Sequence, residues 1–253
     1  MINNKKFGLA LGGGGARGYF HLGVAEILYK NEMYPDVISG VSAGAIAGAF
    51  LASGQKPVEI FKKLKKKRFF DMTGMNIPVS GLFSLNGLKK VVANQITEKQ
   101  IEQLKTPLII GITNMNTGEI EFREKGNLAE LVQASSSAPF MFAPVMIGGQ
   151  QYLDGGIFEN LPVSPIRQKV DYLLGVNIYP VGEFKDMDNW VKLSRRMFQL
   201  GVKMNTKPSK KVCDYVIEPD EIEKYELYDA SKADELFEMG LRYGEEFVKS
   251  VIS

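Results

Sequence analysis

The feature that most constrains the fold is a run of four glycines at 12–15, which separates an apolar stretch from a segment with helical periodicity. The stretch "FGLAL" (7–11) predicts a buried strand, and "YFHLGVAEILYKN" (19–31) has apolar residues at the spacing of a helix. A strand that enters a helix through a short glycine loop is a building unit of parallel α/β sheets. The alternation returns at 36–54, where "DVISGVS" precedes "AGAIAGAFLASG", and "DYLLGVNIY" (171–179) adds a further strand. The chain is therefore expected to have an α/β fold.

The other segments predict further strands and helices around one weakly patterned region. We expect a helix near 86–96, two strands joined at "NTGE", a helix in "NLAELVQASSSAPF", a hairpin ending in "YLDGG", and a strand in "DYVIEP" between two amphipathic helices. The region 62–87 has weak periodicity, which predicts a mobile lid or a membrane-contact insertion. The length of 253 residues predicts a single domain, 1–253, with 186–253 as a helical extension packed on it.

Composition narrows the classes of function and the compartment. The chain has 31 Lys and Arg against 29 Asp and Glu, so its formal charge of +2 creates no global field that would attract nucleic acid. A single cysteine, Cys213, and a single histidine, His21, exclude an internal disulfide and a Cys/His metal site. No stretch approaches the roughly 20 apolar residues of a membrane span. We therefore expect a cytoplasmic protein that contacts a membrane only at its surface.

The stretch "GVSAG" (40–44) predicts a nucleophilic serine. Gly40 and Gly44 stand two residues before and after Ser42, which lets the chain turn sharply from a strand into a helix with the serine oxygen exposed. The pattern also occurs in ordinary turns. Here, however, an apolar strand precedes it and a helix of small residues follows it, so the context favours a nucleophile.

The glycine run predicts a site for negative charge. Backbone N–H groups at a helix start have no partner within the helix, so glycines 12–15 form a cradle for an oxyanion, and Arg17 adds a positive charge. Gly13, Gly15 and Gly18 also satisfy the G-x-G-x-x-G pattern of dinucleotide sites. The second strand ends in "SGVSAG", without the acidic residue that binds the ribose. Oxyanion binding is therefore favoured, and a dinucleotide site remains the alternative.

Two residues compete for the role of the base that accepts the proton of Ser42. His21 lies on the predicted helix after the glycine run, where a lone histidine is more often structural than catalytic. Asp154 lies at a hairpin end, where Gly155 and Gly156 allow another group to approach closely. An Asp-Gly turn is common by itself. The residues alone leave this choice open.

Four blocks of the sequence, "GGGGARG" (12–18), "GVSAG" (40–44), "ASSSAP" (134–139) and "DGG" (154–156), resemble in this order those of the patatin-like phospholipases. The similarity extends over essentially the whole chain. The resemblance implies a three-layer α/β/α sandwich with a central, mostly parallel sheet. It also implies a lipid acyl hydrolase, a phospholipase or esterase, that cleaves carboxylic esters through an acyl-serine intermediate and needs no cofactor.

The resemblance also implies roles for individual residues. Ser42 is the nucleophile and Asp154 the base of a Ser–Asp dyad. The oxyanion hole consists of Gly13, Gly14, Gly15 and Arg17. The supporting positions are Gly12, Gly18, Gly40, Gly44, Pro139, Gly155 and Gly156, while Ser135, Ser136 and Ser137 are structural. The headgroup is not specified, so an esterase or thioesterase for another substrate remains an alternative.

A basic run followed by two phenylalanines predicts a contact with a membrane surface. The run consists of Lys62, Lys63, Lys65, Lys66, Lys67 and Arg68, and Phe69 and Phe70 follow it. Basic charge beside aromatic rings suits docking to anionic lipid. A solvated helix face is the ordinary alternative. The expected partners are a lipid ester or phospholipid substrate and a membrane surface at 62–70, with no nucleic acid and no metal.

Overall fold

The fold is built on a mixed β-sheet. The computed structural model describes residues 5–66, 83–183 and 189–252. Eight strands lie within these ranges: β1 (Phe7–Leu11), β2 (Val37–Gly40), β3 (Leu108–Asn114), β4 (Glu119–Arg123), β5 (Val145–Ile147), β6 (Gln150–Asp154), β7 (Tyr172–Val176) and β8 (Tyr215–Ile217). The sheet order is β5-β6-β3-β2-β1-β7-β8, and β4 also pairs with β3. Five neighbouring strands of this sheet are parallel, namely β3, β2, β1, β7 and β8. The other three, β4, β5 and β6, join by antiparallel pairing.

Helices cover both faces of this sheet. The α-helices in the described ranges are α1 (Tyr19–Lys30), α2 (Ala43–Ala52), α3 (Pro57–Lys65), α4 (Asn86–Gln95), α5 (Leu128–Ser135), α6 (Trp190–Val212) and α7 (Ala233–Ile252). Right-handed crossovers place α1 and α2 on one face, because β1, β2 and β3 follow each other in one direction across the sheet. The parallel step from β7 to β8 runs in the other direction and places α6 on the opposite face. The segment 155–171 lies on that face too, because its Leu161, Val163 and Ile166 share a core with Ala10 of β1.

Burial follows this division because strand side chains alternate between the two faces. Leu9 and Leu11 of β1 belong to the large core with α1 and α2, whereas Ala10 between them belongs to a second core. The second core consists of Ala10, Val37, Ile109, Leu161, Val163, Ile166, Val170 and Leu173. Thus the five parallel strands form the middle layer of a three-layer α/β/α sandwich, as the sequence predicts.

Strand β3 brings two distant parts of the chain together. It pairs with β4 along 110–114, with β2 along 108–110 and with β6 along 112–114. Since β4 occupies one edge, β2 and β6 must share the other edge, one after the other. Gly40 therefore lies beside Ile110, and Asp154 lies beside Ile112, two residues further on. This register positions the two turns that the sequence singles out.

Most predicted elements are present, and α3 extends into the segment that the sequence predicts as a lid or membrane-contact insertion. The predicted lid begins at 62, but α3 continues through Lys65. Pro57 begins this helix, and Ile60, Phe61 and Leu64 form its buried side, so the lysines among them lie on its outer side. Residues 67–82, which include Lys67 to Phe70 and most of the predicted lid, lie outside the described residues.

Candidate active site

Ser42 lies at the sharp turn between β2 and α2. Its backbone has φ 55° and ψ −121°, in the left-handed half of conformational space that residues with a side chain rarely adopt. A Cβ on Gly44 would lie 1.9 Å from the carbonyl oxygen of Leu11, and a Cβ on Gly40 would lie 2.5 Å from that of Gly44. Both glycines of the motif are therefore required by close backbone packing.

The serine-rich block supports both turns. The N–H of Ser42 donates to Oγ of Ser135 at 2.9 Å, and the Ser135 hydroxyl donates to the carbonyl of Gly111 in β3 at 2.8 Å. The carbonyl of Ser137 accepts the N–H of Asp154 at 3.0 Å. One short segment at the end of α5, 135–137, thus holds the backbones of Ser42 and Asp154.

Asp154 ends β6 as a buried carboxyl group, with 3% of its surface exposed. Its Oδ1 accepts the N–H of Gly156 at 2.8 Å, and its backbone carbonyl accepts the hydroxyl of Thr113 at 2.9 Å. Burial raises the pKa of Asp154 to about 7, against the opposing effect of hydrogen bonds from the Gly156 N–H and from the Ser42 side chain. Asp154 therefore combines a place in the same cavity as Ser42 with a high proton affinity near neutral pH.

The glycine loop lies directly beside Ser42. A Cβ on Gly13 would lie 3.1 Å from the Cβ of Ser42. The N–H of Gly12 donates to Val176 at 3.0 Å, and that of Gly13 donates to the carbonyl of Asn160 at 3.1 Å. Among the described residues, no acceptor contacts the N–H groups of Gly14 and Gly15. Two of the three predicted donors are therefore open, whereas that of Gly13 is engaged.

Asn160 fixes the orientation of this loop and was missed by the sequence analysis. Its side-chain amide donates to the carbonyl of Gly13 at 3.3 Å. Because the C=O and N–H of a peptide point in opposite directions, this contact turns the Gly14 N–H away from Asn160. Asn205 on α6 accepts the Asn160 N–H at 3.1 Å and donates to the carbonyl of Gly156 at 2.9 Å. No sequence pattern predicts a role for either asparagine, because each side chain acts by hydrogen bonding to backbone carbonyls that are distant in the chain.

Arg17 does not line the same cavity as Ser42 and Asp154. Its guanidinium donates to the carbonyls of Tyr225 at 2.9 Å, Glu223 at 2.9 Å and Ile178 at 3.3 Å. Burial lowers the pKa of Arg17. The geometry favours a structural role, in which Arg17 joins the glycine loop to the C-terminal segment, over the expected contact with an oxyanion.

Replacing Arg17 with Gln should lower the free energy of unfolding by about 2–4 kcal/mol, because buried carbonyls would lose charged donors. Urea unfolding measures this difference. Arg242→Gln, at a largely exposed ion pair with Glu221, is the control and should change stability by less than about 1 kcal/mol. A stable Arg17→Gln protein with a selective loss of kcat would instead assign Arg17 to the oxyanion.

His21 is fully buried and contacts the glycine loop. Its Nε2 lies 2.8 Å from the carbonyl oxygen of Gly12, which makes this nitrogen the donor of a neutral ring. Burial lowers the pKa of His21 to about 4. Its Nδ1 has no partner in the described part of the chain. The imidazole therefore supports the loop from behind.

Ser42 and Asp154 open into an apolar cavity of about 190 Å³. Gly14 and Gly15 line the same cavity, which agrees with their open N–H groups. The apolar part of its wall consists mainly of Tyr19, Leu22, Ile46, Leu64, Leu85, Leu88, Met141, Phe142, Phe198, Leu227 and Tyr228. This wall fits a hydrocarbon chain placed next to the serine.

A family model described as patatin-like phospholipase matches residues 9–167, from β1 through Asp154 and beyond. The chain belongs to the patatin-like phospholipase family. A solved structure with the patatin-like fold agrees with the architecture: VipD from Legionella pneumophila matches with a TM-score of 0.57 over 97% of this chain and 67% of that chain. At 15% identity, this likeness concerns the fold alone.

Curated patatin-like relatives include lysophospholipases from yeasts. The chain is 25% identical to lysophospholipase NTE1 of Meyerozyma guilliermondii over 99% of its own length, and 24% identical to that of Saccharomyces cerevisiae over its full length. It spans only 20% and 17% of those two proteins. An uncharacterized NTE family protein of Mycobacterium bovis is 30% identical over 65% of this chain and 46% of that protein.

Within 5–66, 83–183 and 189–252, no three His, Cys, Asp or Glu side chains are grouped so that they could hold a metal ion. Over the same ranges no helix is long and apolar enough to cross a membrane.

Proposed function

We propose that this patatin-like chain hydrolyses a carboxylic ester of a lipid through an acyl-Ser42 intermediate. The observation that carries the proposal is that Ser42, on its strained turn, and the buried carboxyl group of Asp154 line the same cavity. The open N–H groups of Gly14 and Gly15 at the same cavity support it. The family assignment and the printed names of the lysophospholipase relatives support a lipid as the substrate class.

In the proposed mechanism Asp154 acts as the base. Its carboxylate takes the proton of Ser42 while Oγ attacks the ester carbonyl carbon, and the developing oxyanion accepts the N–H groups of Gly14 and Gly15. The carboxylic acid then returns the proton to the leaving alcohol, which departs. In the second half Asp154 takes a proton from water, the water oxygen attacks the acyl carbon, and Ser42 recovers its proton as the fatty acid leaves.

The apolar cavity supports a substrate with one acyl chain next to Ser42. A lysophospholipid is the first candidate because several relatives carry that name. Another lipid ester or a thioester remains the alternative for the same site. The single-domain organisation, independence from metal and cofactor, the location at a cytoplasmic membrane surface and the contact through 62–70 all remain predictions that belong to this proposal.

The pH dependence of ester hydrolysis tests the base. If Asp154 with a pKa of about 7 is the base, kcat should rise about tenfold from pH 6 to pH 8, since the ionised fraction rises accordingly. A base such as His21, with a pKa of about 4, would give a flat profile over this range. The rates are measured with p-nitrophenyl octanoate and with lysophosphatidylcholine, after subtraction of spontaneous hydrolysis.

His21→Gln is the matched control, because the glutamine amide can keep the donor to Gly12. It should retain the same pH profile and most of the activity. A profile that flattens in this variant, with the fold intact, would contradict Asp154 as the base. No hydrolysis of either ester by the wild type would contradict the proposed function itself.

A further inference from the structure

Helix α6 exposes a continuous apolar stripe. Trp190, Leu193, Met197, Leu200 and Met204 are 73%, 47%, 65%, 44% and 62% exposed. Their spacing of three and four residues places them on one side of the helix. From Trp190 to Met204 the stripe is about 21 Å long, at 1.5 Å per residue. Large exposed apolar patches of this kind usually mark an interaction surface.

The same helix carries a concentrated positive charge. It contains seven Lys and Arg residues and no Asp or Glu, in a chain whose formal net charge is only +2. At about 100° per residue, Arg196, Lys203 and Lys207 follow one another along one side of the apolar stripe. Lys211 continues the exposed side beyond Met204. The outer surface of α6 is therefore both apolar and basic.

The inner side of α6 bounds the candidate active site. Val202 packs against Tyr179 and Leu227, and Asn205 donates to the carbonyl of Gly156. Arg195 and Phe198 line the cavity that Ser42 opens into. The exposed stripe thus lies on the outside of the helix whose inside contacts the catalytic turn.

We propose that α6 docks the protein on an anionic lipid surface, with its apolar stripe entering the interface and its basic side chains facing the headgroups. Amphipathic helices with one apolar side and Lys or Arg beside it bind anionic bilayers in this manner. The choice of a lipid surface rests on the proposed function. Docking would deliver the substrate next to the cavity.

The charge distribution favours lipid over a second copy of the chain. Two α6 helices packed through their stripes would bring Arg196, Lys203, Lys207 and Lys211 of each helix close together, and α6 contains no acidic residue that could offset them. Like charges at such distances are destabilising. An anionic surface complements both the charge and the apolar stripe.

The only tryptophan of the chain, Trp190, reports docking directly. The experiment uses Ser42→Ala protein, so that vesicles stay intact, with phosphatidylcholine vesicles and with vesicles that contain 30% phosphatidylglycerol. We expect co-sedimentation and a blue shift of the Trp190 emission with the anionic vesicles, and much less of both with phosphatidylcholine alone. No difference between the two vesicle types would overturn the proposal.

Two triple variants of α6 and one matched control locate the contact. Met197→Gln, Leu200→Gln and Met204→Gln together remove the stripe, and Lys203→Gln, Lys207→Gln and Lys211→Gln together remove charge. Each triple variant should weaken binding to anionic vesicles at least tenfold. The control, Lys30→Gln, Lys90→Gln and Lys125→Gln, removes the same charge from exposed positions outside both α6 and the basic run at 62–70, and should weaken binding less than threefold.

Equal losses in the control and the charge variant would overturn the assignment of docking to α6. Light scattering provides the other decisive readout: a dimer that becomes monomeric in the apolar variant, without vesicle binding, would make a second copy the occupant. In an active Ser42 background, all three variants should hydrolyse p-nitrophenyl octanoate at near wild-type rates. If the wild type itself did not hydrolyse p-nitrophenyl octanoate, that result would contradict the proposed function but not the docking of α6.

Discussion

Replacing Asp154 with Asn should abolish ester hydrolysis and, above pH 7, make the protein more stable. The amide cannot accept the proton of Ser42. The kcat should therefore fall at least about 10³-fold, as it does when a serine hydrolase with a catalytic triad loses one residue of that triad. The N–H of Gly156 keeps its acceptor, because the Asn side chain retains an oxygen at that position. The fold should therefore remain intact.

The gain in stability follows from the sign of the pKa shift. The pKa of Asp154 is raised from 3.8 to about 7 by burial, so the folded protein binds a proton that the unfolded chain releases between these values. The stabilising effect of this proton is present at low pH and is lost as the pH rises through about 7. At pH 8 the buried charge therefore costs about 4 kcal/mol, because raising the pKa from 3.8 to about 7 disfavours the ionised form in the folded protein.

Urea unfolding at pH 5 and pH 8 measures the effect. Asp154→Asn should gain up to about 4 kcal/mol over the wild type at pH 8, and most of that gain should disappear at pH 5. Asp220→Asn, at an exposed carboxylate, is the control and should change neither activity nor stability appreciably. A variant that keeps its activity, or a stability difference that is the same at both pH values, would contradict the assignment.

The sequence could predict which residues form the candidate site but not how they meet. Ser42 and Asp154 stand out because each lies in a glycine-containing turn after a strand. Their proximity depends on β2 and β6 sharing one edge of β3, with Gly40 beside Ile110 and Asp154 beside Ile112. These pairings join residues 70 and 42 positions apart in the chain, and strand pairing over such separations has no local signal. The resemblance to a family supplied that information instead.

Arg17 illustrates a different limit. A basic residue in a glycine loop suggests an anion, but the three carbonyls that it contacts come from 178, 223 and 225, which no local pattern connects to the loop. The amphipathic tail was predicted correctly as helix. The sequence does not predict which side of α6 faces inward, because Phe198 and Val202 are as apolar as Met197 and Leu200. Only the tertiary packing separates the two sides.

Replacing Ser42 with Ala should reduce ester hydrolysis at least about 10³-fold, because no nucleophile remains beside the open N–H groups of Gly14 and Gly15. A fluorophosphonate probe should label the wild type once, with phosphorus bonded to Oγ and fluoride released, and should not label the variant. Mass spectrometry of the labelled peptide identifies the site. Labelling of Ser135, Ser136 or Ser137 instead would contradict Ser42 as the nucleophile.

A comparison of Ser42→Ala with Ser42→Gly distinguishes the effect of losing the nucleophilic hydroxyl from the effect of backbone strain in the turn. Both variants lose the hydroxyl and its contact with Asp154, so both should be inactive. They differ in the backbone, since φ 55° with ψ −121° costs a residue with a side chain about 1–3 kcal/mol, and glycine avoids that cost. Glycine loses about 0.5–1 kcal/mol through greater freedom in the unfolded chain.

Ser42→Gly should therefore be more stable than Ser42→Ala by about 1 kcal/mol in urea unfolding. At an unstrained helical position the order is reversed, so Ala47→Gly in α2 should be less stable than the wild type by a similar amount. If Ser42→Gly were instead the less stable variant, the turn would carry no strain. If the predicted order holds, the turn that exposes Oγ towards Asp154 is one that the fold maintains at a cost, as expected for a backbone selected for the position of its nucleophile.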